Sequence, residues 1–118
     1  MPSSSELRSL NQEFFVTAER YRDRVAFARS DPDRARPLTY AALRRRVEAL
    51  AAGLLTLDLR PGTRVALVAH NRADWYVADR AVLLAGGIDV PQPADLGAGA
   101  LEAVLRHSGS RIAVVEGE

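Results

Sequence analysis

Cysteine and lysine are both missing from this 118-residue chain. Without thiols there is no disulfide, no thiolate metal site and no cysteine nucleophile. All sixteen residues counted as Lys+Arg are arginine, so a phosphate-loop lysine, a Schiff base and a catalytic lysine are excluded from these residues. Aromatics are scarce, at 6% with a single Trp, and there are only two His. No apolar run approaches the roughly 20 residues that would cross a bilayer. The opening stretch MPSSSELRSL has neither a basic region nor an apolar one, and a cytoplasmic location is therefore expected. A net charge of +1 gives no general attraction for a polyanion.

What is present is an ordinary globular composition, 47% apolar and 26% charged. Its organising stretch is RVALVAHNRADWYVADRAVLLAGGIDVP, Arg64 to Pro91. A continuous apolar run, Val65 to Ala69, suits a strand covered on both faces, and such strands are usually parallel. Asn71 stands at an N-cap position with Asp74 three residues on. Trp75, Ala78, Val82 and Ala85 follow at helical spacing and predict the stripe that lies on the sheet. Gly86-Gly87 stops this helix, and Ile88 to Val90 is a second strand. A further helix face, Leu101, Val104, Leu105 and Ser108, ends with Arg106, His107 and Gly109. Ile112 to Val115 is a third strand. The fold class is therefore α/β, a parallel sheet with crossover helices in two consecutive βαβ units.

Upstream, Ser3 with Glu6 matches a capping box, and Leu7, Leu10, Phe14, Thr17 and Tyr21 mark the inward face of a first helix. Val25 to Ala28 and Leu38-Thr39-Tyr40 form a small antiparallel hairpin around the polar loop SDPDRARP, with Thr39 able to cap the next helix. That helix, Ala41 to about Leu57, carries the core stripe Leu43, Val47, Leu50, Leu54 and Leu57. Asp58 ends it, and Pro61-Gly62 fits the centre of a type II turn. Pro91 and Pro93 are expected to stop the second strand of the sheet.

Residues with chemical potential are few, and each has a plain structural use. Arg44, Arg45 and Arg46 form a basic run, which reads as a solvated helix face because no further basic cluster accompanies it. Gly97-Ala98-Gly99 resembles two-thirds of a dinucleotide fingerprint but lacks the third glycine. His70 lies just past a parallel strand, where α/β folds place ligands, yet no acid or nucleophile is spaced with it. His107 compensates a helix dipole, Trp75 packs in the core, and Ser108-Gly109-Ser110 is not a nucleophile elbow.

As a series, Leu38-Thr39-Tyr40, Leu43, Ala51, Leu54, Pro61-Gly62, Val65-Ala66, Asn71, Trp75 and Ala85-Gly86-Gly87 resembles the N-terminal portion of the AMP-forming adenylate synthetases. These include acyl-CoA synthetases, peptide-synthetase adenylation domains and luciferases. Asp74-Trp75, Ala78-Asp79, Val90-Pro91, Leu105-Arg106-His107-Ser108-Gly109 and Ile112 to Glu116 resemble the long-chain fatty acyl-CoA synthetase branch. Asp58 stands where that family usually has Gly, and Thr63 where it usually has Asp. The resemblance implies a ligase in which a fatty acid attacks the α-phosphate of Mg-ATP and coenzyme A then displaces AMP. It further implies that residues 1–118 are the N-terminal part of the AMP-binding domain, truncated before the phosphate loop. No catalytic, cofactor-binding or metal residue is carried over, and the chain alone is expected to be inactive and to self-associate. The alternatives are an adenylation domain or fatty acyl-AMP ligase, or a non-catalytic α/β interaction domain.

Overall fold

The computed structural model describes residues 9–27, 37–69 and 73–115. The chain folds as two compact units, Met1–Arg46 and Val47–Glu118. The first holds α1 (Leu10–Arg20), β1 (Val25–Phe27), β2 (Leu38–Thr39) and the start of α2 (Tyr40–Thr56). The second holds the rest of α2, then β3 (Arg64–Val68), α3 (Ala73–Leu84), β4 (Ile88–Gln92), α4 (Ala98–Ser108) and β5 (Ile112–Val115).

The capping box of α1 belongs to Ser9 and Gln12. Ser9 Oγ accepts from the Gln12 amide at 3.1 Å, and Gln12 Oε1 accepts from the Ser9 amide at 2.9 Å. The Ser3–Glu6 pair and Leu7 lie outside the described residues. Of the expected α1 face only Phe14 is buried, joined by Ala18, while Leu10 is 62% exposed and Tyr21 is also exposed. β1 and β2 pair antiparallel, as the hairpin reading required. Thr39 Oγ1 then accepts from the Ala42 amide at 3.2 Å and caps α2.

Along α2 the buried stripe is Leu43, Val47, Ala51 and Leu54. Leu50 is half-buried. Leu57, past the helix end, is exposed, and Leu59 is buried in its place. The reversal at Asp58 has φ 62°, the one left-handed non-glycine among the described residues. Asp tolerates this region because its short side chain bonds locally. Here it meets Arg60 Nε at 3.2 Å.

The three strands of the second unit form a parallel sheet in the order β4-β3-β5. Its centre is β3, where Val65, Ala66, Leu67 and Val68 are all buried. That is what a continuous apolar run predicts for a strand covered on both faces. β4 does not stop at Val90. It continues through Pro91 to Gln92, with Pro91 opposite Leu67. An edge strand tolerates proline because the missing N–H is on the unpaired side.

α3 packs on β3 and β4, but in a different phase from the expected stripe. Ala73, Val77, Ala78, Ala81 and Val82 are buried, whereas Trp75 and Ala85 are only half-buried. Asn71, the expected N-cap, lies outside the described residues. The C-terminus of α3 closes with Gly86 at φ 91°, and the Gly87 amide donates to Val82 O at 2.9 Å. This turn is bonded to the one at Pro61-Gly62. The Gly62 amide donates to Gly86 O at 2.9 Å and the Ile88 amide to Thr63 O at 2.8 Å.

Gly87 is needed for space. A Cβ there would stand 3.1 Å from Thr63 O and 3.1 Å from Val82 Cγ1. Gly87→Ala is expected to destabilise the chain by about 1–3 kcal/mol, the usual cost of overpacking. Asp58→Gly is expected to stabilise it by about 0.5 kcal/mol, because relief of left-handed strain exceeds the added chain entropy. Urea unfolding of both variants reads the two opposite signs.

Candidate functional site

Ligands of open parallel sheets bind beyond the C-terminal ends of the strands. At that end the described residues offer Ala69 after β3, Gln92 and Pro93 at the end of β4, and Val115 on β5. His70, the one titratable residue singled out there, lies outside the described residues. No group of three or more His, Cys, Asp or Glu able to hold a metal occurs among the described residues.

The other candidates separate onto different elements. Gly97 is the N-cap of α4 and makes no side-chain cap, and Gly99 is inside the helix. The Gly97 carbonyl accepts from the Leu101 amide at 2.8 Å, so this stretch is the start of an ordinary helix. His107 and Arg106 occupy the last turn of α4, and Gly109 follows at φ 69° as the left-handed C-cap. Ser108 and Ser110 share a hydroxyl contact of 2.7 Å at this helix end, which occupies both.

At the opposite, N-terminal end of the sheet lies a cleft of ≈ 290 Å³ lined by Pro61, Gly62, Thr63, Arg64, Gly109 and Arg111. Two guanidinium-bearing residues in one polar cleft suggest an anion. Arg64, however, is committed: its Nη1 donates to Ser108 O at 2.8 Å. It thus neutralises the carbonyl end of α4, where the helix dipole repels an anion. The cleft is a helix cap supplied from a strand 44 residues away in sequence, a role that local spacing does not signal.

The electrostatically unusual group is Asp89 on β4. Burial pushes its carboxyl up from the ordinary value of 3.8 to about 7, helped by a hydrogen bond to Asp79 on α3 and by that residue's charge. Asp89 Oδ1 is buried without a hydrogen-bond partner, and so is Nε of Arg80, which follows Asp79 on α3. The Arg80 guanidinium lies 4.9 Å over the Tyr76 ring. Two carboxyls sharing a proton tie helix to edge strand, and ten residues of sequence hide the pairing.

Because the folded-state pKa is raised, the folded chain binds this proton more tightly than the unfolded chain. The stabilisation is complete below about 3.8 and is lost as pH rises toward 7. Asp89→Asn should remove that slope and stabilise the chain above pH 7 by about 1 kcal/mol, well short of full linkage because water reaches the pair. Urea unfolding midpoints between pH 4 and pH 9 report this.

Comparison with known proteins gives this geometry its family. The long-chain-fatty-acid–[acyl-carrier-protein] ligase AEE15 of Arabidopsis thaliana chloroplasts is 31% identical over 113 residues, covering 96% of this chain and 16% of that protein. Phenyloxazoline synthase MbtB of Mycobacterium sp. (strain MCS) is 34% identical over 110 residues, covering 93% of this chain and 9% of that one. The chain therefore spans a sixth or less of the length of these relatives. Among solved structures, the N-terminal subdomain of Klebsiella oxytoca NpsA in complex with 3-hydroxyanthranilyl-AMSN superimposes with a TM-score of 0.82 at 26% identity, over 94% of this chain and 28% of that one. The family model for AMP-binding enzymes matches residues 14–118, and the chain belongs to that family of adenylate-forming enzymes.

Proposed function

We propose that the chain is the N-terminal part of an AMP-forming acid–thiol ligase whose acid is a long-chain fatty acid. The observation that carries this reading is the similarity to the chloroplast fatty-acid ligase over 96% of the chain. A second reading, an adenylation domain acting on an aryl or amino acid, is about as well supported by the MbtB and NpsA similarities. In either case a carboxylate oxygen attacks the α-phosphate of ATP, and pyrophosphate leaves. A thiol sulfur then bonds to the acyl carbon, the acyl C–O bond breaks, AMP leaves with the electron pair, and the thiol proton passes to solvent. The thiol belongs to coenzyme A, as the acyl-CoA synthetase resemblance implies, or to a carrier protein, the acceptor in the name of the AEE15 relative.

The described residues do not fit the role of holding Mg-ATP. They contain no carboxylate cluster of metal-binding size and no lysine. Their arginines are not gathered around a backbone-rich loop, as charge neutralisation in the transition state demands. We assign them a scaffold role toward the nucleotide, with ATP and Mg²⁺ held by other parts of the enzyme.

An ATP–pyrophosphate exchange assay tests both points. The full-length protein should exchange with a long-chain fatty acid, and residues 1–118 alone should not. Exchange driven by an aryl or amino acid instead would favour the second reading, and exchange by residues 1–118 would overturn the scaffold role.

The isolated chain is also proposed to self-associate. β4 and β5 are both edges of the described sheet, and Ile88 and Val115 on them are 48% and 56% exposed. Unpaired strand edges recruit other strands. Sedimentation velocity of the isolated chain should show species larger than monomer, growing with concentration; a clean monomer would refute it.

A further inference from the structure

The arginine run that sequence spacing assigned to a solvated face has a more definite setting. In the first unit, Ala18, Glu19 and Arg22 of the α1 end face Ala41, Arg44 and Arg45 of α2 across a cleft of ≈ 190 Å³. Glu19 is the carboxylate in it, 3.5 Å from Arg44 and 4.0 Å from Arg22. Arg44 is braced from below, 4.8 Å over the Phe15 ring. Ala18 is 1% exposed and forms a small apolar floor.

Charge accumulates here against the usual rule. The first turn of α2 has no acidic residue, although the positive end of the helix dipole favours one. Three arginines come directly after it. Over the described part of the unit, Arg20, Arg22, Arg24, Arg44, Arg45 and Arg46 outnumber Glu13, Glu19 and Asp23. The described part of the second unit reverses the sign, with seven carboxylates, Glu48, Asp58, Asp74, Asp79, Asp89, Asp95 and Glu102, against five arginines. Three of the arginines of the first unit, Arg22, Arg44 and Arg45, line the cleft against one carboxylate, Glu19. A nucleic acid rewards many phosphate contacts along its length, and the whole chain at +1 offers little for that. A compact protein with a local carboxylate-rich face matches the size of the patch better.

We propose that this cleft and its arginines dock the acidic face of a thiol-bearing carrier protein, the acceptor of the activated acid. The assignment rests on the ligase reading above. Arg22 and Arg45 supply charge at the rim, and Arg44 is held in place by Phe15 and Glu19. Rim charges of this kind govern encounter and salt dependence.

The test uses the full-length protein with a purified acidic acyl-carrier protein bearing its thiol arm. Arg22→Glu with Arg45→Glu should raise the KM for the carrier about tenfold or more and leave kcat nearly unchanged. The same variant should keep its ATP–pyrophosphate exchange and its KM for free coenzyme A. Arg22→Lys with Arg45→Lys should retain most carrier affinity, which separates loss of charge from loss of fold. Carrier binding by the unaltered protein should weaken steeply with salt. An unchanged carrier KM in the glutamate variant would overturn the proposal. So would tighter binding of a labelled DNA duplex than of the carrier at equal ionic strength. Absence of any acid-dependent exchange would sink the ligase reading separately. Fluorescence-anisotropy titration of labelled carrier, with the unaltered protein and the glutamate variant, would then still decide the docking site.

Discussion

The second unit depends on one strand having no free side. β3 is bonded to β4 on one edge and β5 on the other, and four of its five residues are buried. A strand so enclosed can offer no polar side chain to water, which is why Val65 to Val68 contains none. Parallel neighbours on both sides require the chain to leave and return by long connections, and α3 and α4 are those connections. The returns are fixed at the N-terminal end of the sheet. There Gly62, Gly86 and Gly87 bring two turns into direct backbone contact, a closeness that a Cβ at Gly87 would crowd.

Arginine does several unlike jobs in a chain without lysine. Arg64 reaches a helix carbonyl, Arg24 lies over Tyr21, Arg44 over Phe15 and Arg80 over Tyr76. A planar, delocalised cation can stack on a ring and still donate from its edge, whereas an ammonium is a strongly hydrated point charge. Arginine therefore contributes to packing here, and its count overstates the positive charge available to a ligand.

The strands and their parallel pairing were legible in the sequence because continuous apolar runs have few other uses. The strained position was legible too, since Asp58 stands where the resembling family has glycine, and its φ is 62°. Helix phase was harder to read. α3 carries apolar or small residues on several faces, so spacing alone allowed Trp75, and only the sheet beneath selects Val77 and Ala81. Helix ends misled for a related reason: Leu10 and Leu57 extend a periodic pattern past the point where anything covers them. Pro91 looked like a stop because a strand's position in its sheet is not written locally. The Asp79–Asp89 contact and the Arg64 cap on α4 join separate elements, and no local pattern marks either. His70, the candidate at the ligand end of the sheet, lies outside the described residues, and Gly97, His107 and Gly109 proved to belong to the ends of α4.

Pro91 gives the sheet a direction. Its ring removes a donor from the outer row of β4, so a strand arriving on that side would meet an interrupted ladder. The four-residue strand β5 carries no proline, and its outer row keeps a full set of donors and acceptors. The two edges are therefore unequal: β4 is a selvage that offers an added strand fewer bonds, and β5 is the margin that offers more.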